Sequence, residues 1–168
     1  MNSNALETAY KKYYKELFYY ALSLCRQEDL AKDLVSETFC RALIASDTPK
    51  ESFKFWLFRV LKNYYIDLKR KNHESLNFST QESFLSEDAK KGPGNLYLLK
   101  ERDRRIYNHV LQLEPEVYRE VLYLYYYGEM KIKEISITLG LSDTHTKTAL
   151  HRARKKIGKG LKEDTYEF

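Results

Sequence analysis

The stretch "KIKEISITLGLSDTHTKTALHRARKKIGKGLK", residues 131–162, has the pattern of two helices separated by a sharp turn. Aliphatic residues recur at helical spacing from Ile132 to Leu139, which predicts a short helix with one buried face. Ser136 is small enough for a second helix to cross closely. Gly140 can adopt the left-handed conformation that ends a helix. The stretch therefore predicts two helices that meet at a turn.

The second of these helices has two unlike faces and begins at a cap formed by Ser142 or Asp143. Small or aliphatic side chains form the inner face: Thr146, Leu150, Ala153 and Ile157. Polar and basic side chains form the outer face: Lys147, Thr148, His151, Arg152, Lys155 and Lys159. This arrangement is typical of a helix-turn-helix, whose second helix can lie in the major groove of DNA.

The basic charge of this helix is compatible with more than one role. Residues 144–160 contain six Lys or Arg and no acid, and such a run can be a solvated face favoured by the helix dipole. The charge alone does not decide between a solvated face and a DNA surface. The glycine turn and Ser136 favour the DNA surface, because a solvated helix requires neither. A membrane-surface helix is excluded, since the inner face lacks Trp and Phe.

Length and charge distribution predict two small domains. The 168 residues, 43% of them hydrophobic, can form one medium domain or two small ones. Residues 1–73 carry 13 basic and 9 acidic side chains, and residues 96–168 carry 14 and 11. Residues 74–95 carry 2 basic and 4 acidic side chains, lose helical periodicity and contain "GPG". This segment is predicted to be a flexible acidic linker.

Helical periodicity elsewhere makes the predicted fold class all-α, with two small helical domains joined by that linker. Five further helices are expected at about 6–26, 28–45, 52–71, 96–113, and from 115 to near 128. The first three are expected to bury these apolar stripes: Leu6, Tyr10, Tyr13, Leu17, Tyr20, Leu24; Leu30, Leu34, Phe39, Leu43; Phe53, Trp56, Val60, Tyr64, Leu68.

Catalysis, metal binding and export receive no support from the sequence. Cys25 and Cys40 are far apart, lack partners at metal-ligand spacing and suit small apolar helix positions. No nucleophile elbow, phosphate loop or paired-carboxylate pattern occurs. The chain also lacks a signal segment and an apolar run that could cross a bilayer. We therefore expect a cytoplasmic protein with no catalytic residue, metal, cofactor or membrane partner.

Three segments in succession resemble bacterial RNA polymerase sigma factors of the sigma-70 family, especially the extracytoplasmic-function (ECF) class. "KEISITLGLSDTHTKTALHRARKKI" resembles the promoter-reading helix-turn-helix of that class. "AKDLVSETFCRAL" is similar to its polymerase-binding helix and "FKFWLFRVLKNYYIDLKRK" to its promoter-melting helix. The absence of an additional helical domain between the blocks also fits this minimal class.

The resemblance implies a promoter-specificity factor. Residues 1–73 would bind core polymerase and recognise and melt the minus-10 element, and residues 96–168 would read the minus-35 element. Residues 74–95 would run through polymerase channels, where acidic side chains could imitate nucleic-acid charge. The implied partners are promoter DNA and core RNA polymerase, through its largest-subunit coiled coil and its flap region. Whether an anti-sigma factor also binds is left open.

Polymerase binding is assigned by the resemblance to the second helix. Asp33, Glu37 and Arg41 repeat every four residues as one polar row, with Leu34 and Phe39 nearby. From spacing alone, Glu37 and Arg41 could simply pair along an exposed helix. The resemblance favours docking on the polymerase.

The minus-10 contacts implied by the resemblance come from the third helix and the loop before it: Ser46, Asp47, Lys54, Arg59, Lys62, Asn63 and Arg70. Asn63 lies off the predicted apolar stripe and matches the family position that reads a flipped base. Separated strands also need aromatic faces and cations. Trp56 lies on the predicted stripe, so we expect it to pack in the core.

The minus-35 contacts implied by the resemblance lie on the second helix of the helix-turn-helix. Thr148, His151 and Arg152 are candidates for base edges, and Arg152 can bond a guanine edge through two donors. The phosphate candidates are Lys147, Arg154, Lys155 and Lys156. Thr146 replaces an aliphatic residue of the family and is expected to weaken the core contact at the turn.

Two other functions compete with this one. A stand-alone helix-turn-helix regulator would bind operator DNA as a dimer and hold duplex tightly without polymerase. An anti-sigma or polymerase-binding inhibitor would keep the docking helix without starting transcription, but the intact basic helix argues against it.

Overall fold

The computed structural model of the chain describes residues 3–45, 49, 52–76 and 101–166, without the side chains of residues 74–76, 101–104, 107 and 164–166. Within those ranges the chain forms helices and no strand, which confirms the predicted all-α fold class. The helices are α1 (Ser3–Cys25), α2 (Glu28–Ile44), α3 (Phe53–Leu76), α4 (Glu101–Leu111), α5 (Glu116–Tyr126), α6 (Ile132–Leu139) and α7 (Asp143–Tyr166).

The described residues form two compact units, with α1 to α3 in the first and α4 to α7 in the second. The predicted helix limits agree with α1 and α2 to within a few residues. Helix α3 continues to Leu76, beyond the predicted end near residue 71. Most of the acidic connector lies outside the described residues, so its predicted flexibility and the domain limits at 73/74 and 95/96 stay predictions.

The first unit is a three-helix arrangement in which each helix packs on the other two. Leu17, Tyr20 and Phe58 are among its fully buried side chains, and the rings of Tyr20 and Phe58 lie 5.3 Å apart. The hydroxyl of Tyr65 donates a 2.8 Å hydrogen bond to the Leu24 carbonyl, which ties α3 to the end of α1. This core holds the outer faces of α2 and α3 in place.

The predicted apolar stripe of α3 is wrong. Its buried side chains are Phe55, Leu57, Phe58, Leu61 and Tyr65, whereas those of Trp56 and Val60 are half-buried. The sequence of α3 is apolar around most of its circumference, so two different stripes satisfy helical spacing. Packing against α1 and α2 selects the one centred on Leu61.

Two other residues assigned to inward stripes lie at the surface. Tyr10 on α1 is 41% exposed and Leu43 on α2 is 53% exposed. Leu43 lies off the face of α2 on which Leu34, Phe39 and Ala42 are buried, and Tyr10 keeps one side in solvent while its ring packs against Phe39. Leu17, Tyr20, Leu24, Leu34 and Phe39 are buried as predicted.

The second unit packs α5 and α4 against α7, and α6 against both α5 and α7. A guanidinium fixes the connection between α4 and α5: Arg119 is 4% exposed and donates to the Leu113 carbonyl at 2.9 Å and the Glu114 carboxylate at 3.2 Å. Removing such a buried cation from water is costly unless it is hydrogen-bonded. Arg119 therefore holds the segment on which α5 begins.

The helix-turn-helix forms as predicted. Gly140 ends α6 with a φ of 67°, a left-handed conformation that costs glycine little. Ser142 caps α7, since its Oγ accepts the backbone N–H of His145 at 3.1 Å. Of the two cap candidates, Ser142 is the one used. Asp143 is the first residue of α7, where a carboxylate interacts favourably with the helix dipole.

Candidate nucleic-acid and polymerase interfaces

The outer face of α7 presents a row of basic side chains to solvent. Lys147, His151, Arg152 and Lys155 are exposed, and Thr148 beside them is half-buried. In the part of the chain that the structure describes, no hydrogen bond or ion pair engages these four exposed side chains. Ala149, Leu150 and Ala153 are buried on the opposite side. The outer face is therefore available to a polyanion.

Two residues predicted to contact phosphates form hydrogen bonds within the second unit. The Nε of Arg154 donates to the hydroxyl of Tyr126 at 2.7 Å, and the Nζ of Lys156 donates to the Glu114 carbonyl at 2.7 Å. They flank the buried face of α7, and this angular position directs their long side chains toward the neighbouring helix. Their predicted phosphate contacts stay predictions, and in this structure Arg154 contacts α5 while Lys156 contacts the segment just before it.

Aromatic rings surround the Arg154 guanidinium. Its central carbon lies 5.0 Å from the ring centroid of Tyr125 and 5.5 Å from that of Tyr126, distances typical of cation–π contacts. The hydrogen bond to Tyr126 raises the pKa of the Arg154 guanidinium above its ordinary value. Arg154 is therefore a permanent cation within the α5–α7 contact.

The crossing of α6 and α7 is polar. Ser136 is 4% exposed and Thr146 is fully buried, and their hydroxyl oxygens lie 2.8 Å apart. The expectation that Thr146 weakens the core contact omitted this partner. A hydrogen bond replaces the aliphatic contact, since both residues at the crossing carry hydroxyls.

The outward face of α3 carries Asn63, whose side chain is exposed. Trp56, expected in the core, is half-buried and lies two helical turns from Asn63 on the same side. Its ring is stacked on that of Phe53, with centroids 5.7 Å apart. Sequence reasoning missed Trp56 because it chose the wrong stripe. The spacing of seven residues between Trp56 and Asn63 was the signal that could have identified it.

The basic residues predicted to contact the minus-10 element differ in the side chains that they contact within the protein. Lys54 forms a 2.7 Å ion pair with Glu16 of α1, and Arg70 forms a 3.0 Å ion pair with Asp67. The Arg59 guanidinium lies 5.6 Å from the ring centroid of Phe55. Lys62 is half-buried with its Nζ 6.0 Å from the ring centroid of Tyr65. Ser46 and Asp47, the predicted loop contacts, lie outside the described residues.

The predicted polymerase-binding row lies partly on the surface of α2. Asp33 is exposed, and Glu37 forms a 2.9 Å ion pair with Arg41. The Arg41 guanidinium also lies 4.4 Å from the ring centroid of Tyr64, which joins α2 to α3. An exposed pair of this kind contributes little to stability.

Leu34 and Phe39 do not belong to the accessible row. Leu34 is fully buried and Phe39 is 5% exposed, with its ring centroid 4.8 Å from that of Tyr10. These side chains fill the contact between α1 and α2, so a partner could reach neither without unpacking the helix. Their role is to support the row.

Two residues that sequence reasoning did not select extend the surface of α2. Cys40 is exposed on α2, and Ile44 is 78% exposed. Asp33, Glu37, Cys40 and Ile44 are spaced by four, three and four residues, which places them along one face. The same spacing in the sequence could have identified them.

The described ranges contain neither a candidate metal site nor a candidate membrane span. No cluster of three or more His, Cys, Asp or Glu side chains there could hold a metal ion. None of the helices described is long and apolar enough to cross a membrane.

Comparisons with known proteins match both units. The family model of sigma-70 region 2 matches residues 9–74, and that of sigma-70 region 4 matches residues 112–157. The chain is 32% identical over 154 residues to the ECF RNA polymerase sigma factor SigM of Bacillus subtilis, covering 90% of this chain and 92% of that protein.

Two solved structures share the fold. Sigma factor RpoE in complex with the anti-sigma factor NepR, from Bartonella quintana, has a TM-score of 0.67 at 22% identity and covers 93% of this chain and 96% of its own. CnrH in complex with the cytosolic domain of CnrY has a TM-score of 0.66 at 23% identity, and the match covers 97% of this chain and 91% of that chain.

Both family regions occur in the expected order, and the match to SigM extends over nine tenths of the chain. The chain therefore belongs to the ECF class of the sigma-70 family of RNA polymerase sigma factors, and it directs promoter-specific initiation of transcription.

Proposed function

We propose that the two helical units divide the work of this sigma factor. The first unit docks on core RNA polymerase through α2 and captures the minus-10 element on α3. The second unit reads the minus-35 duplex with the outer face of α7. One observation carries the proposal: Lys147, His151, Arg152 and Lys155 are exposed along one face and have no partner among the described residues.

Reading of the minus-35 element rests on the chemistry of this face. The guanidinium of Arg152 can donate two parallel hydrogen bonds to the O6 and N7 atoms of guanine, which discriminates by roughly 1 to 3 kcal/mol. The side chains of Thr148 and His151 lie within a turn of it and are candidates for neighbouring bases. Lys147 and Lys155 would contact phosphates, which position the helix without reading sequence.

Two contacts on the flanks of α7 fix the orientation of its outer face. From the two flanks of α7, Arg154 binds Tyr126 of α5 and Lys156 binds the Glu114 carbonyl just before α5. Each anchor restricts rotation of α7 about its own axis, since the two contacts lie on opposite sides of the buried face. The base-edge residues would then meet DNA at a fixed angle, which is what discrimination between bases needs.

Capture of the minus-10 strand would use the outward face of α3. Asn63 offers both a donor and an acceptor to the edge of an extruded base. The half-buried Phe53–Trp56 stack supplies an aromatic face near it, and stacking of bases on such rings is worth about 1 to 3 kcal/mol per base. Arg59 and Arg70 on the same side supply positive charge for the backbone.

Docking on the polymerase would use the α2 face defined by Asp33, Glu37, Cys40 and Ile44. Alternating spacings of four and three residues suit contact with another helix, as in a coiled coil. The acidic end would meet basic side chains, and Ile44, 78% exposed, would add apolar contact. We assign this surface to the coiled coil of the largest polymerase subunit, and the second unit to the flap region.

The proposed partners include an inhibitor. The sigma factor RpoE is solved with the anti-sigma factor NepR bound, and CnrH is solved with the cytosolic domain of CnrY. We propose that an anti-sigma protein similarly controls this chain in the cytoplasm, and that the chain catalyses no reaction of its own.

Transcription in vitro tests the proposal. Purified chain and core polymerase are incubated with a genomic fragment library, and transcript starts are sequenced. We expect starts preceded by common elements near minus 10 and minus 35 that core polymerase alone does not produce. A chain that binds duplex fragments tightly without polymerase and leaves transcript starts unchanged would instead be a stand-alone regulator.

A further inference from the structure

The two hydroxyls at the crossing of α6 and α7 share too few protons for their contacts. Ser136 Oγ lies 2.8 Å from the Ile132 carbonyl and 2.8 Å from Thr146 Oγ1, and Thr146 Oγ1 lies 2.9 Å from the Ser142 carbonyl. Each hydroxyl has one proton, so two of these three contacts can be hydrogen bonds at one time. Either hydroxyl can donate across the crossing while its partner's proton turns to a backbone carbonyl.

This chain of contacts joins the two helices at a fixed separation. The oxygens lie 2.8 Å apart, whereas a carbon in place of either would require about 3.3 to 3.6 Å from the remaining oxygen. Substituting Val for Thr146 preserves shape but lengthens the contact. The first turns of α7 would then move away from α6 by a fraction of an ångström.

Thr146 is placed where such a shift would reach DNA. It directly precedes Lys147 and lies within two turns of the exposed Arg152. The part of α7 that follows is anchored independently, since Arg154 binds α5 and Lys156 binds the Glu114 carbonyl just before α5. A change at Thr146 would therefore tilt α7 about those anchors instead of translating it as a whole.

We propose that Ser136 and Thr146 are positioning residues that set the tilt at which α7 presents its base-edge side chains to the minus-35 element. The inference rests on the proposed function. It makes promoter selectivity depend on a buried hydroxyl pair that touches no nucleotide. A buried polar contact can fix one geometry among several of similar energy.

The test uses holoenzyme assembled from core polymerase and the full chain. The probe is one promoter fragment recovered with the wild-type chain, together with every single-base change in its minus-35 and minus-10 elements. Thr146→Val removes the hydroxyl and keeps the shape, whereas Thr146→Ser keeps the hydroxyl. Thr138→Val is the matched control, because Thr138 is 4% exposed and its hydroxyl donates to Glu134 within α6.

We expect Thr146→Val to change the ratio of transcript yields between minus-35 variants by about threefold or more, a part of what one well-placed base contact supplies. The minus-10 profile should stay unchanged, and Thr146→Ser and Thr138→Val should reproduce the wild-type profile. Ser136→Ala removes the other hydroxyl and should also change the minus-35 profile, which provides a second route if Thr146→Val folds poorly.

Three results would overturn the inference. In the first, Thr146→Val and Ser136→Ala both leave the minus-35 yield ratios unchanged. In the second, both variants change the transcript yield of every promoter variant by the same factor. In the third, Thr146→Ser changes the minus-35 profile as much as they do. If the wild-type chain directs no transcription from any fragment, the proposed function itself fails. If the wild-type chain does direct transcription but the minus-35 yield ratios of the variants equal those of the wild type, only the positioning inference fails.

Discussion

The Nε of Arg154 and the hydroxyl of Tyr126 form a 2.7 Å hydrogen bond between α7 and α5, across 28 residues of sequence. On the other flank of α7, Lys156 donates to the Glu114 carbonyl with its Nζ 5.3 Å from the ring centroid of Tyr118. The recognition helix thus uses two of its own cations as structural anchors.

A double-mutant cycle measures the first anchor. Arg154→Ala and Tyr126→Phe should each destabilise the second unit, with a coupling free energy of about 0.5 to 1 kcal/mol, reduced because the site is exposed. Urea unfolding followed by circular dichroism gives the free energies. Trp56, the sole tryptophan of the chain, lies in the first unit, so its fluorescence transition should not move. Additive single effects would show that the hydrogen bond contributes nothing.

Arg152 and Lys155 should respond differently to truncation. Arg152→Ala should cost roughly 1 to 3 kcal/mol at one minus-35 base pair and relax selectivity there, since a base contact is lost. Lys155→Ala should weaken binding to all promoter variants similarly and reduce the salt dependence by about one charge. Holoenzyme binding to single-base promoter variants at several salt concentrations separates the two. Equal losses across all variants for Arg152→Ala would contradict its assignment.

Charge reversal tests the docking face of α2. Changing Asp33 and Glu37 together to Lys should abolish assembly with core polymerase, because juxtaposed like charges cost several kcal/mol. The chain should stay folded, since both side chains are at least partly exposed and the Glu37–Arg41 pair contributes only about 0.5 kcal/mol. Size-exclusion co-elution with core polymerase is the measurement.

The control for that variant makes the same charge change elsewhere. Glu7 and Glu163 are both exposed and lie outside the α2 face, so their joint change to Lys should leave assembly intact. Holoenzyme formation by the Asp33/Glu37 variant would remove these residues from the interface. Loss of assembly in both variants would indicate a net-charge effect.

Two glycines in α7 form a matched pair. A Cβ at Gly158 would meet no heavy atom within 4 Å, whereas one at Gly160 would lie 3.1 Å from Nδ1 of His109 on α4. Gly158→Ala should therefore stabilise the helix by about 0.5 to 1 kcal/mol. Gly160→Ala should stabilise the helix less, because the His109 imidazole must move to make room for the new Cβ. Thermal unfolding shows which variant is more stable. Equal stabilisation by both would show that the contact between α4 and α7 adjusts to the new methyl group at no cost.

The two cysteines should differ in reactivity and in their effect on stability. Burial raises the pKa of the Cys25 thiol, while Cys40 is exposed on α2. Because the thiolate is the nucleophile, iodoacetamide should modify Cys40 faster at neutral pH. Peptide mass spectrometry with Cys25→Ser and Cys40→Ser variants assigns the sites. Faster modification of Cys25 would mean that α1 opens at its end.

The sign of the pH effect follows from the direction of that shift. The folded Cys25 thiol keeps its proton to higher pH than the unfolded one, whose pKa is about 8.5. Its contribution to stability is therefore complete below that pH and is lost as the pH rises through the folded pKa. Replacing Cys25 by Ser should flatten the decline in unfolding free energy at alkaline pH.

The sequence by itself determined the helical fold, the turn at Gly140 and the basic outer face of α7. These properties depend on residues within a few positions of each other: apolar spacing, a glycine with access to positive φ, and a capping serine. Local physics acts on them wherever the helix is placed. The three motifs in order also sufficed to predict the family that the comparisons then showed.

Only the tertiary structure decided which apolar stripe of α3 faces inward, and thus that Trp56 lies on the side of Asn63. It also decided that Arg154 contacts Tyr126, that Lys156 contacts the Glu114 carbonyl, and that Ser136 contacts Thr146. These contacts depend on other parts of the chain, up to 42 positions distant in the case of Lys156 and Glu114. Helical spacing in a sequence shows only which side chains share a face. Packing against the rest of the protein decides whether that face is buried or exposed.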